Sequence, residues 1–147
     1  MPKDTKNLKV LFLCTANACR SQMAEGWARH LKSDVIEAYS AGVAPQKVSS
    51  RAITVMKEVG VDISGHHSKH VDEIAKIDFD YVITVCDNAH ESCPIFPGKT
   101  KVIHVGFDDP AAATGTPEEV LAAFRKVRDQ IKEFILTLPQ ALSHKGI

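Results

Sequence analysis

A cysteine and an arginine six positions apart carry the clearest chemical signal in the sequence. Cys14 and Arg20 enclose five mostly small residues. A loop of this length can curl so that its backbone N–H groups point inward and bind an anion. The planar guanidinium of Arg20 would bind two oxygens of a tetrahedral oxyanion, and together with a helix N-terminus it would favour the thiolate form of Cys14. The spacing therefore predicts a nucleophilic thiolate that faces a bound oxyanion.

The residues predicted to bind the oxyanion lie in this loop or directly after it: Thr15, Ala16, Asn17, Ala18, Cys19, Arg20 and Ser21. An alternative interpretation is that Cys14 is a buried core cysteine at the end of a strand, which is common for a single cysteine. The arginine six residues further on argues against that alternative.

Apolar segments on both sides of the loop predict how it is held. Residues 10–13 are a short run of β-formers, which predicts a buried central strand, and residues 21–25 begin a helix. Further strands are predicted at residues 35–40, 81–85 and 101–105. Further helices are predicted after Ser49 or Ser50, at residues 71–77, and from a capping box at Thr116 to Pro139.

Strands that alternate with helices predict an α/β fold, a four-stranded parallel sheet with helices on both faces. Ligands of such sheets bind at the carboxyl ends of the strands. Cys14, Cys86 and Asp109 each follow a predicted strand. We therefore expect these three side chains to meet at one edge of the sheet.

Length and composition indicate one domain over residues 1–147, with flexible ends at residues 1–7 and 142–147. Eighteen basic and eighteen acidic side chains cancel, so net charge favours neither nucleic acid nor a membrane surface as a partner. No apolar run approaches membrane-spanning length, and the polar start lacks the apolar region of a secretory signal. We therefore expect a cytoplasmic monomer.

Cysteine and histidine spacing predicts no metal site. The four cysteines are too few for a disulfide scaffold and contain no C-x2-C pair of the kind that indicates zinc: Cys14, Cys19, Cys86 and Cys93. The run GHHSKH at residues 65–70 contains three histidines, but no acidic or cysteine partner stands at ligand spacing. Loop histidines are therefore the preferred interpretation.

The loop resembles the signature loop of the low-molecular-weight protein tyrosine phosphatases. The longer run CTANACRSQMAEGWA, which begins at Cys14, is more similar to the thioredoxin-coupled arsenate reductases of that superfamily. The resemblance implies a phosphatase-like fold, reduction of arsenate to arsenite, no bound cofactor, and thioredoxin as the external reductant. It also implies that Asp109, in the Asp-Pro step after the fourth strand, is a general acid, a role usually worth ~10²–10⁴-fold in rate. An N-cap role for Asp109 is equally compatible with the sequence.

Two further cysteines distinguish a reductase from a phosphatase. A phosphatase needs one thiolate and water, whereas reducing arsenate takes two electrons and so needs two thiols that become a disulfide. In the reductases that TVCDNAHESCP resembles, cysteines at this spacing do that work. This implies that Cys86 attacks Cys14 and releases arsenite, and that Cys93 then forms a disulfide with Cys86. The alternative is that both are incidental, and the resemblance assigns no redox role to Cys19.

Some members of this superfamily bind potassium beneath the loop through Asn, Glu, Ser and Asp side chains. Asn17, Glu25 and Ser40 match three of these ligands, but Lys69 stands at the fourth position. Its ammonium group could take the electrostatic place of the cation. A bound potassium ion is therefore doubtful.

Two other functions are compatible with the loop. Phosphotyrosine phosphatase activity would use the same residues, but the tyrosines that such phosphatases carry beside the general acid are absent, since the only tyrosines are Tyr39 and Tyr81. A non-catalytic oxyanion-binding or arsenic-sensing module would need neither Asp109 nor a resolving thiol. Mycothiol or a glutaredoxin could also replace thioredoxin as the reductant.

Overall fold

A four-stranded parallel sheet lies at the centre of the fold. The computed structural model describes residues 7–85 and 100–145. The strands stand in the order β2-β1-β3-β4 and all pairs are parallel. Their bounds are β1 Leu8–Cys14, β2 Ile36–Gly42, β3 Tyr81–Thr84 and β4 Lys101–His104. The predicted sheet is confirmed, and each predicted strand is found within two residues of its expected start.

Strand β1 is deeply buried because it has a neighbouring strand on each side and a core on each face. Val10, Leu11, Phe12 and Leu13 are each at most 1% exposed. A strand buried on both faces needs a continuous apolar run, whereas a half-buried strand alternates. The run that predicted a central strand therefore has its physical cause in this position.

The helices of the described chain cover the sheet face that carries Val10 and Phe12. Side chains from all four α-helices join the core on that face. Their bounds are α1 Arg20–Leu31, α2 Ser50–Glu58, α3 Pro117–Leu136 and α4 Gln140–Lys145. The opposite face, with Leu11 and Leu13, is covered by side chains from the segment 71–79. The helix predicted at residues 71–77 is wrong in length, since only Val71–Glu73 form a single 3-10 turn.

Capping residues begin and end the helices where their chemistry requires it. The Ser49 side chain accepts a hydrogen bond from the backbone N–H of Ala52, and Thr116 forms the predicted capping box with Glu119. Gly60, after α2, has φ +82°, the left-handed conformation that glycine adopts easily. No helix in the described ranges is long and apolar enough to cross a membrane.

Two features at the end of the chain differ from the sequence-based expectation. Helix α3 ends at Leu136, before Pro139, and a further short helix, α4, follows. Leu142, expected at the start of a flexible end, is 1% exposed and belongs to the main core. A single apolar residue in a polar tail carries too little periodicity to predict this docking.

A buried arginine connects α3 to α2, although nothing in the surrounding sequence predicts this role. Arg128 is 8% exposed, and its guanidinium donates to the Val55 carbonyl at 3.0 Å and to the Glu58 carboxylate at 2.9 Å. The Trp27 indole N–H donates to the Arg128 carbonyl at 3.1 Å. Trp27 is 2% exposed and belongs to the main core.

The capping box of α3 leads to a stability prediction. We expect Thr116→Ala to lower the free energy of unfolding by about 1 kcal/mol, because the N–H of Glu119 loses its acceptor. Urea unfolding followed by circular dichroism measures it. Thr54→Ala is the matched control, since the Thr54 hydroxyl only donates back to the Ser50 carbonyl on the exposed side of α2. Equal effects of the two substitutions would contradict the capping role.

Candidate active site

Carbonyl groups of the loop after β1 accept hydrogen bonds from segments outside the loop. Three of them accept hydrogen bonds from the segment that follows β2: Thr15 O from the N–H groups of Val43 and Ala44, Ala16 O from Gln46, and Ala18 O from Ser49, at 2.9–3.0 Å. Because each peptide unit holds its N–H opposite its carbonyl, outward carbonyls turn the intervening N–H groups inward. An oxyanion cradle would need this backbone orientation, and oxyanion binding by the loop stays a prediction.

Asn17 helps to fix the conformation of this loop. Its φ is +53°, a left-handed conformation that asparagine tolerates better than most residues. Its side-chain amide donates to the Ser21 hydroxyl at 2.9 Å and accepts from the Lys69 N–H at 3.0 Å. Asn17 and Ser21, two of the predicted oxyanion-binding residues, are thus hydrogen-bonded to each other.

Gly42 allows β2 to approach the loop closely. A Cβ at this position would lie 2.5 Å from the Thr15 carbonyl oxygen and 3.0 Å from the Asn17 nitrogen. Gly42 is the last residue of β2 and forms a parallel bridge with His70. From sequence alone, a glycine followed by a loop indicates a turn. Here glycine is required because the adjacent loop backbone leaves no room for a side chain.

Cys14, Arg20 and Asp109 line one cavity at the carboxyl edge of the sheet. Cys14 ends β1 and is 3% exposed, and Arg20 begins α1 and is 4% exposed. An Arg20 terminal nitrogen lies 3.8 Å from an Asp109 carboxylate oxygen. The cavity has a volume of about 240 Å³, and its lining also includes Thr15, Ala16, Ala18, Cys19, Gln46 and Ala111. The structure therefore brings together the nucleophile, cation and acid that the sequence predicted.

The Arg20 guanidinium is held in position by the segment that follows β4. Its second terminal nitrogen donates to the Phe107 carbonyl at 3.1 Å, and Phe107 in turn donates to the Val85 carbonyl at 3.4 Å. The guanidinium is thus tied to the same segment that carries Asp109. A lysine could not make these contacts from one point charge.

Asp109 is both a capping residue and a site residue. One carboxylate oxygen accepts from the Ala111 N–H at 3.0 Å and so caps the 3-10 turn Pro110–Ala112, while the other faces Arg20. The side chain is 39% exposed. The cap holds the carboxyl group beside the cavity, so the two interpretations of Asp109 are compatible, as the sequence indicated.

Cys19 is a thiol rather than a second nucleophile. The pKa of the Cys19 thiol is raised to about 11. Burial is the largest cause, the Asp109 carboxylate acts in the same direction, and a hydrogen bond with Ser49 opposes both. At neutral pH this sulfur keeps its proton, and a protonated thiol is a poor nucleophile.

His66, one of the predicted loop histidines, supports the loop after β1 through Gln22. The Gln22 amide nitrogen donates to the carbonyls of Asn17 and His67 at 3.0 and 3.2 Å, which leaves its oxygen facing His66 Nδ1 at 3.0 Å. Nδ1 therefore carries the proton of the neutral ring. The third histidine of the run, His70, caps the 3-10 turn Val71–Glu73.

The histidine shares its surroundings with a set of charged groups. Burial lowers the pKa of His66 below its usual 6.5, Arg29 and Lys69 lower it further, and Glu25 and Asp62 oppose them. Nothing in the spacing of GHHSKH distinguishes His66 from its neighbours. Only the contact with Gln22, 44 residues away, does so.

Residues 9–146 match the model of the low molecular weight phosphotyrosine protein phosphatase family. The chain belongs to this family. An arsenate reductase from Halalkalibacterium halodurans is 46% identical over 135 residues, which are 91% of this chain and 97% of that protein.

Solved structures of family members superpose on the chain. One, of an arsenate reductase in the phosphate-binding state, has a TM-score of 0.75 at 36% identity and covers 89% of this chain and 95% of its own. Another, of a thioredoxin-dependent arsenate reductase from Corynebacterium glutamicum, has a TM-score of 0.66 at 25% identity and covers 95% of this chain and 65% of its own.

Cys86 and Cys93, the two cysteines that the resemblance assigns to the relay, lie outside the described residues. The described chain ends there at Val85, which is fully buried and donates to the Leu13 carbonyl at 3.0 Å. The roles of Cys86 and Cys93 stay predictions.

The close approach at Gly42 predicts a specific loss of oxyanion binding in this phosphatase-family site. We expect Gly42→Ala to weaken the binding of inorganic phosphate at least about tenfold, because the new methyl group must push the loop backbone aside. Isothermal titration calorimetry measures it. Gly65→Ala is the control, since a Cβ at that position meets nothing within 4 Å. Unchanged phosphate affinity in Gly42→Ala would show that the loop is not the binding site.

The lowered pKa of His66 predicts a pH-dependent stability. A histidine with a pKa lower in the folded than in the unfolded protein stabilises the fold fully above the unfolded value of about 6.5, and this contribution is lost as the pH falls towards the folded value. The free energy of unfolding should therefore rise from about pH 5 to pH 7. His66→Gln keeps an N–H donor without the titration, so its slope should be smaller. The control is His30→Gln, at the exposed C-terminal end of α1, which should keep the wild-type slope. Equal slopes in all three proteins would contradict this.

Proposed function

We propose that this protein reduces arsenate to arsenite. The observation that carries the proposal is the cavity in which the Cys14 sulfur, the Arg20 guanidinium and the Asp109 carboxyl group face an inward-turned loop backbone. Its relative from Halalkalibacterium halodurans, covered almost end to end, is named an arsenate reductase. Arsenate and phosphate are both tetrahedral oxyanions, so one cradle can bind either. The sequence supplies the additional thiols that only a reduction requires.

The first step is a substitution at arsenic. The Cys14 thiolate forms a bond to arsenic, an arsenic–oxygen bond breaks, and the departing oxygen takes a proton from Asp109 and leaves as water. Arg20 and the loop N–H groups bind the remaining oxygens. Arsenic keeps its oxidation state in this step.

The second step transfers two electrons. The Cys86 thiolate attacks the Cys14 sulfur, a disulfide forms between them, and the electron pair of the sulfur–arsenic bond stays on arsenic, which leaves as arsenite. Cys93 then attacks Cys86, which releases Cys14 as a thiolate and leaves a Cys86–Cys93 disulfide. The two electrons gained by arsenic are those lost by one pair of thiols.

Thioredoxin is the proposed reductant of the final disulfide. The Corynebacterium glutamicum neighbour is described as thioredoxin-dependent, and a dithiol donor of that kind returns the two electrons by thiol–disulfide exchange. The relay needs thiols that are reduced at rest, which favours the cytoplasm. We further propose that the protein acts as a monomer without a bound cofactor.

Phosphotyrosine phosphatase activity is the second candidate, because the family carries that name. The two tyrosines of the chain are elsewhere. Tyr39 packs edge-on against Phe79, with ring centroids 5.3 Å apart, on the sheet face away from the α-helices. Tyr81 begins β3, at the opposite edge of the sheet from the cavity. The described cavity thus lacks an aromatic surface on which a phosphotyrosine ring could stack, which favours a small oxyanion as substrate.

The test of the proposed function is arsenite production with thioredoxin, thioredoxin reductase and NADPH. We expect Cys14→Ser to be inactive and Cys93→Ser to complete about one turnover and then stop, with Cys14 bonded to Cys86, because no thiol remains to resolve that disulfide. Peptide mapping of the spent protein identifies the pair. Cys19→Ser is the matched control and should keep most of its activity, since its thiol is protonated and buried.

The contrary outcomes are distinct. Multiple turnovers by Cys93→Ser, or the absence of a Cys14–Cys86 disulfide, would overturn the relay. Rapid hydrolysis of p-nitrophenyl phosphate by a wild-type protein that produces no arsenite would favour the phosphatase instead.

A further inference from the structure

Two of the residues that match potassium ligands of some family members form a hydrogen-bonded group beneath the loop. Glu25, on α1, is 5% exposed, and Ser40, on β2, is fully buried. The Ser40 hydroxyl donates to one Glu25 carboxylate oxygen at 2.5 Å, and Arg29 donates to the other at 2.7 Å. Both oxygens of this buried carboxylate therefore have a protein partner.

Lys69 places its ammonium group against the same set. Its Nζ donates to the Ser40 carbonyl at 3.0 Å and to the His67 carbonyl at 3.3 Å. Carbonyl and carboxylate oxygens are the ligands of a hard cation such as potassium. A potassium ion that shared the Ser40 carbonyl with Lys69 would lie next to a like charge, so these residues do not fit the ion.

The local charges also leave nothing for a further cation to neutralise. Two carboxylates, Glu25 and Asp62, are accompanied by two cationic side chains, Arg29 and Lys69. His66, with its pKa lowered, adds no charge at neutral pH. The charges of this group cancel without any ion, so it has no excess negative charge that would attract potassium.

The backbone of Lys69 ties this charge to the loop. Its N–H donates to the Asn17 side-chain oxygen at 3.0 Å, and its carbonyl accepts from the Gly42 N–H at 2.9 Å. Asn17 holds the left-handed turn of the loop, and Gly42 is the point at which β2 approaches it. One residue thus binds the loop through its backbone and the strand beneath it through its side chain.

We propose that Lys69 is a positioning residue whose ammonium group is a built-in replacement for a potassium ion, so that the oxyanion loop of this protein is organised without any bound monovalent cation. Lys69 acts on the loop through Ser40 and Asn17 and does not touch the oxyanion. The inference concerns the site of the proposed arsenate reduction, but it is tested by cation effects on stability and on phosphate binding, which do not depend on arsenate turnover.

The experiment compares thermal unfolding in KCl and in NaCl at equal ionic strength, and titrates inorganic phosphate in both salts. The wild-type protein should have the same unfolding temperature and the same phosphate affinity in either salt. Lys69→Met keeps the aliphatic stem without the charge, and should bind phosphate on the order of tenfold more weakly, the equivalent of one charge-assisted hydrogen bond. Lys69→Asp supplies the missing acidic ligand, and should be stabilised by KCl more than by NaCl.

The control is Lys126→Met, on the exposed side of α3, which should match the wild-type protein in every measurement. A wild-type protein that potassium stabilises selectively would overturn the proposal. So would a Lys69→Met variant with the phosphate affinity of the wild-type protein. A merely structural lysine would lower stability in both salts equally, so the potassium selectivity of Lys69→Asp separates the two explanations. If Lys69→Asp does not fold, the wild-type and Lys69→Met measurements decide alone.

Discussion

The outward hydrogen bonding of the loop carbonyls is the constraint on which the rest of the site depends. An anion cradle needs several backbone N–H groups that point at one place, and such groups are available only if the carbonyls of the same peptide units are satisfied elsewhere. The segment after β2 supplies the donors. The close packing of Gly42 against Thr15 follows from this, because the donors must approach within hydrogen-bond distance.

The same constraint explains why buried polar residues collect beneath the loop. Asn17, Ser21, Gln22 and Ser40 are all fully buried. Each has a hydrogen-bond partner in the loop, in α1 or in the segment 66–69. Buried polar groups cost free energy unless they are paired, so this network specifies one arrangement of the loop rather than simply adding stability.

Charge is divided unequally around the cavity. Arg20 and the loop backbone face the cavity in which we propose that the oxyanion binds, whereas Glu25, Arg29 and Lys69 do not line this cavity. Asp109 is more exposed than any other charged residue of the cavity lining and is held by its cap. A proton donor must exchange with solvent between turnovers, whereas the anion-binding cation must not be screened by it.

The order of apolar and polar segments was sufficient to predict the fold class and the cavity that Cys14 and Arg20 line. The continuous apolar run of β1 could only be a strand buried on both faces, and the spacing from Cys14 to Arg20 is a local property that a loop of seven residues expresses wherever it stands. The capping box of Thr116 is local in the same way. The sequence also placed Asp109 after a strand, and hence at the correct edge of the sheet.

Tertiary structure decided the contacts between residues far apart in the chain. His66 is a support of the loop because it meets Gln22, and Gly42 is a close-packing residue because it meets Thr15. The sequence already suggested the Lys69 ammonium group as a replacement for a cation, but its contact with the Ser40 carbonyl, 29 residues away, exists only in the tertiary structure. Sequence patterns report which face of an element a residue occupies, but not what the opposing face presents, because that depends on how separate elements pack.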